Sequence, residues 1–248
     1  MELFHAHDWN LTPQEAIALQ QRLRQEIVTV DRFGADIVQT VAGIDVGFED
    51  EGTTTRAAIS ILKFPELTLV EQSVARLPTS FPYVPGLLSF REVPAVLEAL
   101  ANLTVLPDLL LCDGQGTAHP RRFGIACHIG LLTNRPAVGV GKSRLVGTHL
   151  DVPNERGAWV PLMHHGETIG AVLQTRPGTK PLYISPGHRV SLETAVDYVM
   201  RCTTKYRLPE TTRYAHKLAS QTPAAEIAQA IAVGQPDQNS TEQLQLKF

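Results

Sequence analysis

Apolar and polar positions divide the chain into segments of two different periods. Thr12-Pro13-Gln14-Glu15 supplies a helix start: a hydroxyl at the N-cap, a proline at the first helical position, and a glutamate three residues after the cap. Ala16, Leu19, Leu23, Ile27 and Val30 then recur at helical spacing, which predicts one helix carrying all five. After Gly34 the period shortens. Ile37 to Val46, Thr55 to Lys63 and Leu67 to Leu77 read as three strands joined by short polar turns, the clearest being Glu49-Asp50-Glu51-Gly52, and together they make an antiparallel meander. A proline-rich loop, Phe81-Pro82-Tyr83-Val84-Pro85-Gly86, leads to a helix from about Leu88 to Leu103. The pattern then alternates: an apolar strand from Leu109 to Cys112, a glycine-rich turn, a helix from about Pro120 to Thr133, and an apolar strand from Ala137 to Val140. Strands apolar on both faces and alternating with helices mark the parallel part of a sheet. Further strands follow at Trp159 to Met163, Thr168 to Gln174 and Pro181 to Ser185, then helices at about Leu192 to Thr203 and Thr211 to Ser220.

Three antiparallel strands followed by alternating helices and parallel strands is the order of a ribonuclease H-like α/β fold, a mixed sheet flanked by helices. No repeat or linker interrupts it, so one domain is expected over residues 1–222, followed by a polar tail over 223–248 that is expected to be disordered, most markedly from Gly234. The chain of 248 residues, 43% apolar and 19% charged, is long enough to bury a sizeable core. No apolar run approaches the roughly 18 residues that a membrane span needs, and the opening MELFHAHDWN lacks the pattern of a secretory signal, so a cytoplasmic protein is expected. Cys112, Cys127 and Cys202 are an odd number without C-x-x-C spacing, which predicts buried thiols.

Charge changes the picture through its distribution. The formal net charge is -3, yet residues 114–217 hold 14 Lys or Arg against 6 Asp or Glu, and the remainder holds 8 against 19. From Gly114 to His149 there are five basic residues and no acidic one. Such a segment can form one side that faces a polyanion. An ordinary solvated face paired with acids from elsewhere accounts for it equally well.

Asp45 interrupts an apolar strand, Val41-Ala42-Gly43-Ile44-Asp45-Val46, where an unpaired carboxylate is costly. Asp113 repeats the pattern at the C-terminal end of Leu109-Leu110-Leu111-Cys112, the end at which parallel strands usually present ligand-binding side chains. If the two strands are neighbours, the carboxylates converge, and Glu92 near the start of a helix supplies a third. Hard oxygen donors without a Cys or His cluster suit Mg²⁺ or Mn²⁺, and such a site can activate water for phosphodiester hydrolysis. Singly, each residue has an ordinary explanation: a buried hydrogen-bond network for Asp45, an Asp-Gly turn for Asp113, helix N-terminal charge for Glu92.

Lys142 ends a third apolar strand and can point into the same crevice, where it would orient water or offset phosphate charge; a surface lysine at a strand end is the plain alternative. His119 lies just past the Gly114-Gln115-Gly116 turn, whose backbone N–H groups can meet phosphate. His188 either joins them or simply enters the helix capped by Ser191. Tyr83, framed by Pro82 and Pro85, is either a rigid ring poised to wedge into a base stack or a tyrosine packed on the sheet.

The segments VAGIDVGFE, PYVPGLLSFREVPA, CDGQGTAHPRRFGIACHIG, PAVGVGKSRL, PLYISPGHRVSLETA and YRLPETTRYAH resemble, in order and at similar spacing, the sequence blocks of bacterial endonuclease V. The resemblance covers about residues 12 to 220. It implies a ribonuclease H-like, Mg²⁺-dependent repair nuclease that acts on deaminated bases in DNA, chiefly deoxyinosine. It would cut the second phosphodiester 3′ to the lesion, leaving 3′-hydroxyl and 5′-phosphate ends. By motif, Asp45, Asp113 and Glu92 would bind the metal, Lys142 would be the catalytic lysine, and His216 would lie near the metal, although an Asp also occurs at that family position. Tyr83 would be the wedge. Gly86, Leu88, His119, Gly124, Gly141 and Ser185 would line the base pocket, and Arg121, Arg122, Arg144 and His188 would contact phosphates.

Two departures from the family pattern stand out. Gln115 replaces a familiar His, and Gly141 stands where an Ala is expected, which would loosen the pocket. The resemblance implies damaged DNA as the partner, without a membrane, and a monomer is expected. Inosine-containing RNA is a second reading, because neither metal nor pocket excludes a 2′-hydroxyl. A damage-binding module that does not cut would show a broken carboxylate set, whereas all three carboxylates are present.

Overall fold

The computed structural model describes residues 1–32 and 38–220, so the expected strand start at Ile37 and the expected tail over 223–248 lie outside the described residues. Eight strands form one sheet: β1 (Thr40–Glu49), β2 (Thr54–Lys63), β3 (Leu69–Pro78), β4 (Leu109–Cys112), β5 (Ala137–Gly141), β6 (Trp159–His164), β7 (Glu167–Leu173) and β8 (Leu182–His188). Their spatial order is β3-β2-β1-β4-β5-β8-β7-β6. The first three make the antiparallel meander, and β4 and β5 continue parallel to β1. The last three return antiparallel, so the whole is a ribonuclease H-like mixed sheet.

The helices are α1 (Pro13–Leu23), α2 (Ser89–Ala101), α3 (Ile125–Thr133), α4 (Leu192–Arg201) and α5 (Glu210–Ala219). Alternation along β4 sorts the layers, because successive side chains point to opposite faces. Leu110 and Cys112 join a core with Val93, Val96 and Leu100 of α2 and Ile129 and Leu132 of α3. Leu109 and Leu111 join the opposite core with Ala195, Val196 and Val199 of α4. α5 lies on that second side against β1 and β2, packing Leu218 and Ala219 onto Ala58. α1 adds an outer layer, setting Leu19 and Leu23 against Phe81, Leu87, Phe90 and Phe123. All three cysteines are buried and unbridged. Among the described residues no helix is long and apolar enough to cross a membrane.

Two helices are shorter than their periodicity predicts. α1 stops at Leu23, a single 3-10 turn follows, and Ile27 is extended. The chain there pairs sideways: Arg189 N–H donates to the Val28 carbonyl at 2.6 Å and Val28 N–H to His188 Nδ1 at 3.3 Å. Val30, predicted on the helix's buried face, is 54% exposed. The helix expected from Pro120 begins only at Ile125, because Arg122 takes a left-handed φ of 58° and the N–H groups of Gly124 and Ala126 turn back to the carbonyls of Gly116 and Gln115. That loop becomes a wall of the site.

Candidate active site

Register brings the carboxylates together. Ile44 pairs with Cys112 in the parallel β1–β4 ladder, so the next residues along, Asp45 and Asp113, stand side by side, and Asp113 N–H donates to the Ile44 carbonyl at 2.9 Å. Their carboxyl groups lie within hydrogen-bonding reach of each other. α5 delivers His216, whose Nδ1 is 3.1 Å from Asp45 Oδ2, and the loop after β5 delivers Lys142, whose Nζ is ion-paired with Asp113 Oδ2. Glu92, in the first turn of α2, feels the charge of both aspartates.

The electrostatics are those of crowded anions. Burial, then the hydrogen bond and charge of Asp113, push Asp45 up to about 6 against the opposing pull of Lys142 and His216. Glu92 is pushed up to about 8, first by burial and then by repulsion from Asp113 and Asp45, with only Arg91 opposing. Each shift records first the burial of a carboxyl group and then the negative charge of its neighbours. Among the described residues no group of three or more His, Cys, Asp or Glu side chains is placed so that together they could hold a metal ion; Asp45 and Asp113 form a carboxylate pair, and Glu92 stands near enough to feel their charge. An open, oxygen-only donor set of excess negative charge fits a small hard cation that keeps part of its water shell.

A cavity of about 300 Å³ opens beside these groups, and Glu92 and Asp113 belong to its lining. Tyr83, Gly86, Leu88, His119, Gly124 and Arg144 line it too, so half of the predicted site residues border one space. Tyr83 is 70% exposed at the rim. Val84 to Leu87 form a type II turn: the Leu87 N–H donates to the Val84 carbonyl at 2.9 Å, Pro85 holds the second position, and Gly86, at φ +78°, holds the third, which needs a residue free to adopt positive φ. His119 is buried beneath the cavity wall. Its Nε2 lies 3.1 Å from the Gly86 carbonyl and its Nδ1 accepts from Arg121 N–H at 3.2 Å, which assigns the proton to Nε2. Burial and the neighbouring Arg121 and Arg122 lower it to about 4, so it is a neutral strut with both nitrogens engaged.

Five of the residues expected at the base pocket or the phosphates stand outside this lining. Ser185 stands behind the wall, fully buried, its Oγ accepting from Gly116 N–H at 2.8 Å. Gly141 also lies behind the wall, and the room it leaves is filled: a Cβ there would stand 2.3 Å from Gln115 Nε2, which is itself held by the Ser143 carbonyl at 3.0 Å. The pocket is therefore not loosened at this point. Arg121 turns inward, donating through Nη2 to the Gly86 carbonyl at 2.5 Å. Arg122 is tied to Glu167 at 3.0 Å and to the His164 carbonyl of the β6–β7 hairpin. His188 is 4% exposed and engaged with Val28, so neither its position nor its neutrality suits a phosphate contact. Arg144 alone of the four is exposed at the cavity mouth.

One residue has no local signal in the sequence. Arg207, on the loop before α5, donates to the carbonyls of Lys180, Pro181 and Lys142, the last at 2.8 Å, and so fixes the backbone that carries the lysine.

A family model described as Endonuclease V matches residues 21–217. The Endonuclease V of Trichormus variabilis is 58% identical over 220 residues, 89% of this chain and 99% of that protein. That of Azotobacter vinelandii is 53% identical over 214 residues, 86% of this chain and 96% of that protein. Among solved structures, the Endonuclease V from Streptomyces avermitilis matches with a TM-score of 0.83 at 39% identity, covering 93% of this chain and all of that one. Ciona intestinalis Endonuclease V, in complex with a 23mer DNA containing an inosine followed by a ribo-adenosine, matches with a TM-score of 0.73 at 27% identity, covering 89% of this chain and all of that one.

Proposed function

The chain belongs to the endonuclease V family, and from that premise we propose that it is a DNA repair endonuclease that takes a deaminated base, chiefly hypoxanthine, into the cavity beside Asp113 and hydrolyses the second phosphodiester 3′ to it. The observation that carries this reading is the sharing of residues: Glu92 and Asp113 belong both to the carboxylate cluster and to the lining of a base-sized cavity whose rim holds Tyr83. A base taken out of the stack is thereby held close to the groups that act on its strand.

Asp45, Asp113 and Glu92 would hold Mg²⁺ or Mn²⁺. When bound, the ion supplies an activated water and neutralises charge at the leaving oxygen. Lys142, paired with Asp113 at the edge of the site, keeps a positive charge where the scissile phosphate accumulates negative charge. His216 orients Asp45 through its hydrogen bond, and Arg207 holds the Lys142 backbone. Tyr83 fills the gap left in the stack by the displaced base. Arg144 contacts the backbone at the cavity mouth.

The test is nicking of an end-labelled duplex carrying one deoxyinosine, with Mg²⁺ or EDTA, beside an undamaged duplex and the Asp113→Asn protein. The expected result is one Mg²⁺-dependent cut 3′ to the lesion, leaving a 3′-hydroxyl, and none with Asp113→Asn, since an amide is a poor ligand for a hard cation. Cutting in EDTA, or undiminished cutting by Asp113→Asn, would overturn it.

A further inference from the structure

α1 buries a polar side chain in an apolar interface. Gln20 lies among Ala16, Leu19 and Leu23, the residues that pack onto Phe81, Leu87, Phe90 and Phe123, and it is 0% exposed. An amide in such a place is costly unless its two hydrogens and its oxygen all find partners. All three do, and every partner belongs to the framework of the cavity. Nε2 donates to the Gly86 carbonyl at 3.1 Å and to the Phe123 carbonyl at 3.2 Å, and Oε1 accepts from Arg121 Nε.

Gly86 and Phe123 line the cavity from two different segments, the wedge loop that carries Tyr83 and the loop that leads into α3. One amide group thus holds both segments at a fixed separation. The Gly86 carbonyl also receives Arg121 Nη2 and His119 Nε2, so three donors converge on the turn next to Tyr83 and Leu88. A Cβ at residue 86 would stand 2.6 Å from Arg121 Nη2, and the φ of +78° itself favours glycine there. None of Gln20's three bonds reaches Asp45, Glu92, Asp113 or Lys142. Gln20 also lies one residue before the span that the family model matches.

We infer that Gln20 is a positioning residue that sets the width of the base cavity and thereby governs which bases the enzyme accepts, without taking part in bond cleavage. The inference rests on the function proposed above. Wrongly spaced walls cannot meet the edge of a displaced base at hydrogen-bond distance, so the deficit falls on capture of the lesion, whereas the carboxylates and Lys142 keep their geometry.

Steady-state cleavage of duplexes carrying inosine, uracil or no lesion tests this with Gln20→Met, which keeps length and apolar contacts but loses all three bonds, and with Gln20→Glu, which keeps the oxygen for Arg121 but loses both N–H groups. Both are expected to raise KM for the inosine duplex about tenfold, to leave kcat within about threefold, and to lower the inosine-to-uracil ratio of kcat/KM about tenfold, the scale of one lost oriented hydrogen bond. The Mg²⁺ concentration for half-maximal cutting should stay unchanged. Leu19→Ala, which loosens the packing of the same helix on the same aromatic residues but leaves the three Gln20 hydrogen bonds in place, should lower Tm while leaving the ratio unaltered. Folded Gln20 variants with native discrimination, a loss confined to kcat, or an equal loss in Leu19→Ala would each overturn the inference. Failure of the wild-type protein to cut inosine DNA would instead reject the function on which it rests.

Discussion

Glu92 carries a cost to the fold that its proposed role at the metal site would explain. Its carboxyl is pushed up to about 8 by burial and by two neighbouring aspartates, against about 4.5 in an unfolded chain. Between those values the folded protein holds a proton that the unfolded chain has released, so stability from this group falls as pH rises through the range. Without metal, Glu92→Gln should therefore melt a few degrees above wild type at pH 8 to 9, with the gap closing toward pH 5, and should cut nothing when metal is restored. Melting curves in EDTA across pH check the sign; equal melting temperatures at pH 9 would mean that the carboxyl is not strained. Gln115 and Gly141 make a second test at this scale. Gly141→Ala places a methyl against the Gln115 amide and should break its bond to Ser143, lowering kcat/KM about tenfold by shifting the loop that carries Lys142, and Gln115→Ala in the same chain should restore most of the loss. Equal defects in the single and double variants would show that the two do not couple. Both departures were visible in the sequence, but their contact was not. Asp45 and Asp113 were legible because a charge inside an apolar strand demands an explanation. Gln20 and Arg207 were not, because their partners lie 66 to 103 residues away for one and 26 to 65 for the other.

At the scale of elements, period and punctuation located every strand and helix among the described residues, and the misses fall where tertiary pairing overrides local preference. The first helix stops early because Val28 pairs with Arg189, a partner that periodicity cannot reveal. The third starts late because the chain before it folds back on the glycine-rich turn. The start of α1, by contrast, follows local chemistry: Thr12 and Glu15 form a reciprocal capping box, with Glu15 N–H to Thr12 Oγ1 at 3.3 Å and Thr12 N–H to Glu15 Oε2 at 2.8 Å. Thr12→Ala should cost about 1 kcal/mol, or about 2–4 °C in Tm for a domain of this size. Gln20 sits two turns beyond the cap and its bonds lie outside the first turn, so lesion discrimination should stay intact. Thermal melts with paired inosine and uracil cleavage separate the two effects. Altered discrimination in Thr12→Ala would mean that α1 responds as one unit and that its cap, too, reaches the cavity.

For the whole molecule, binding to a polyanion depends on where charge is free, which the net value of -3 conceals. The basic segment from Gly114 to His149 read in sequence equally as one phosphate-facing side or as an ordinary solvated face, and folding assigns its cations to different tasks. Arg121 props the cavity, Arg122 is tied to Glu167, Lys142 pairs with Asp113, and Arg144 remains exposed at the cavity mouth. The consequence can be measured in the salt dependence of binding, because each phosphate contact releases counterions and steepens the fall of affinity with salt. Binding to inosine DNA in Ca²⁺ should weaken as salt rises, and Arg144→Ala should reduce the slope of log K against log salt by about 1. Arg122→Ala should leave the slope unchanged, since its guanidinium is already held by a carboxylate and a carbonyl of the β6–β7 hairpin. Were the two variants to flatten the slope equally, the arginine would have to leave Glu167 when DNA binds, and the basic side would extend from the cavity mouth across to that hairpin.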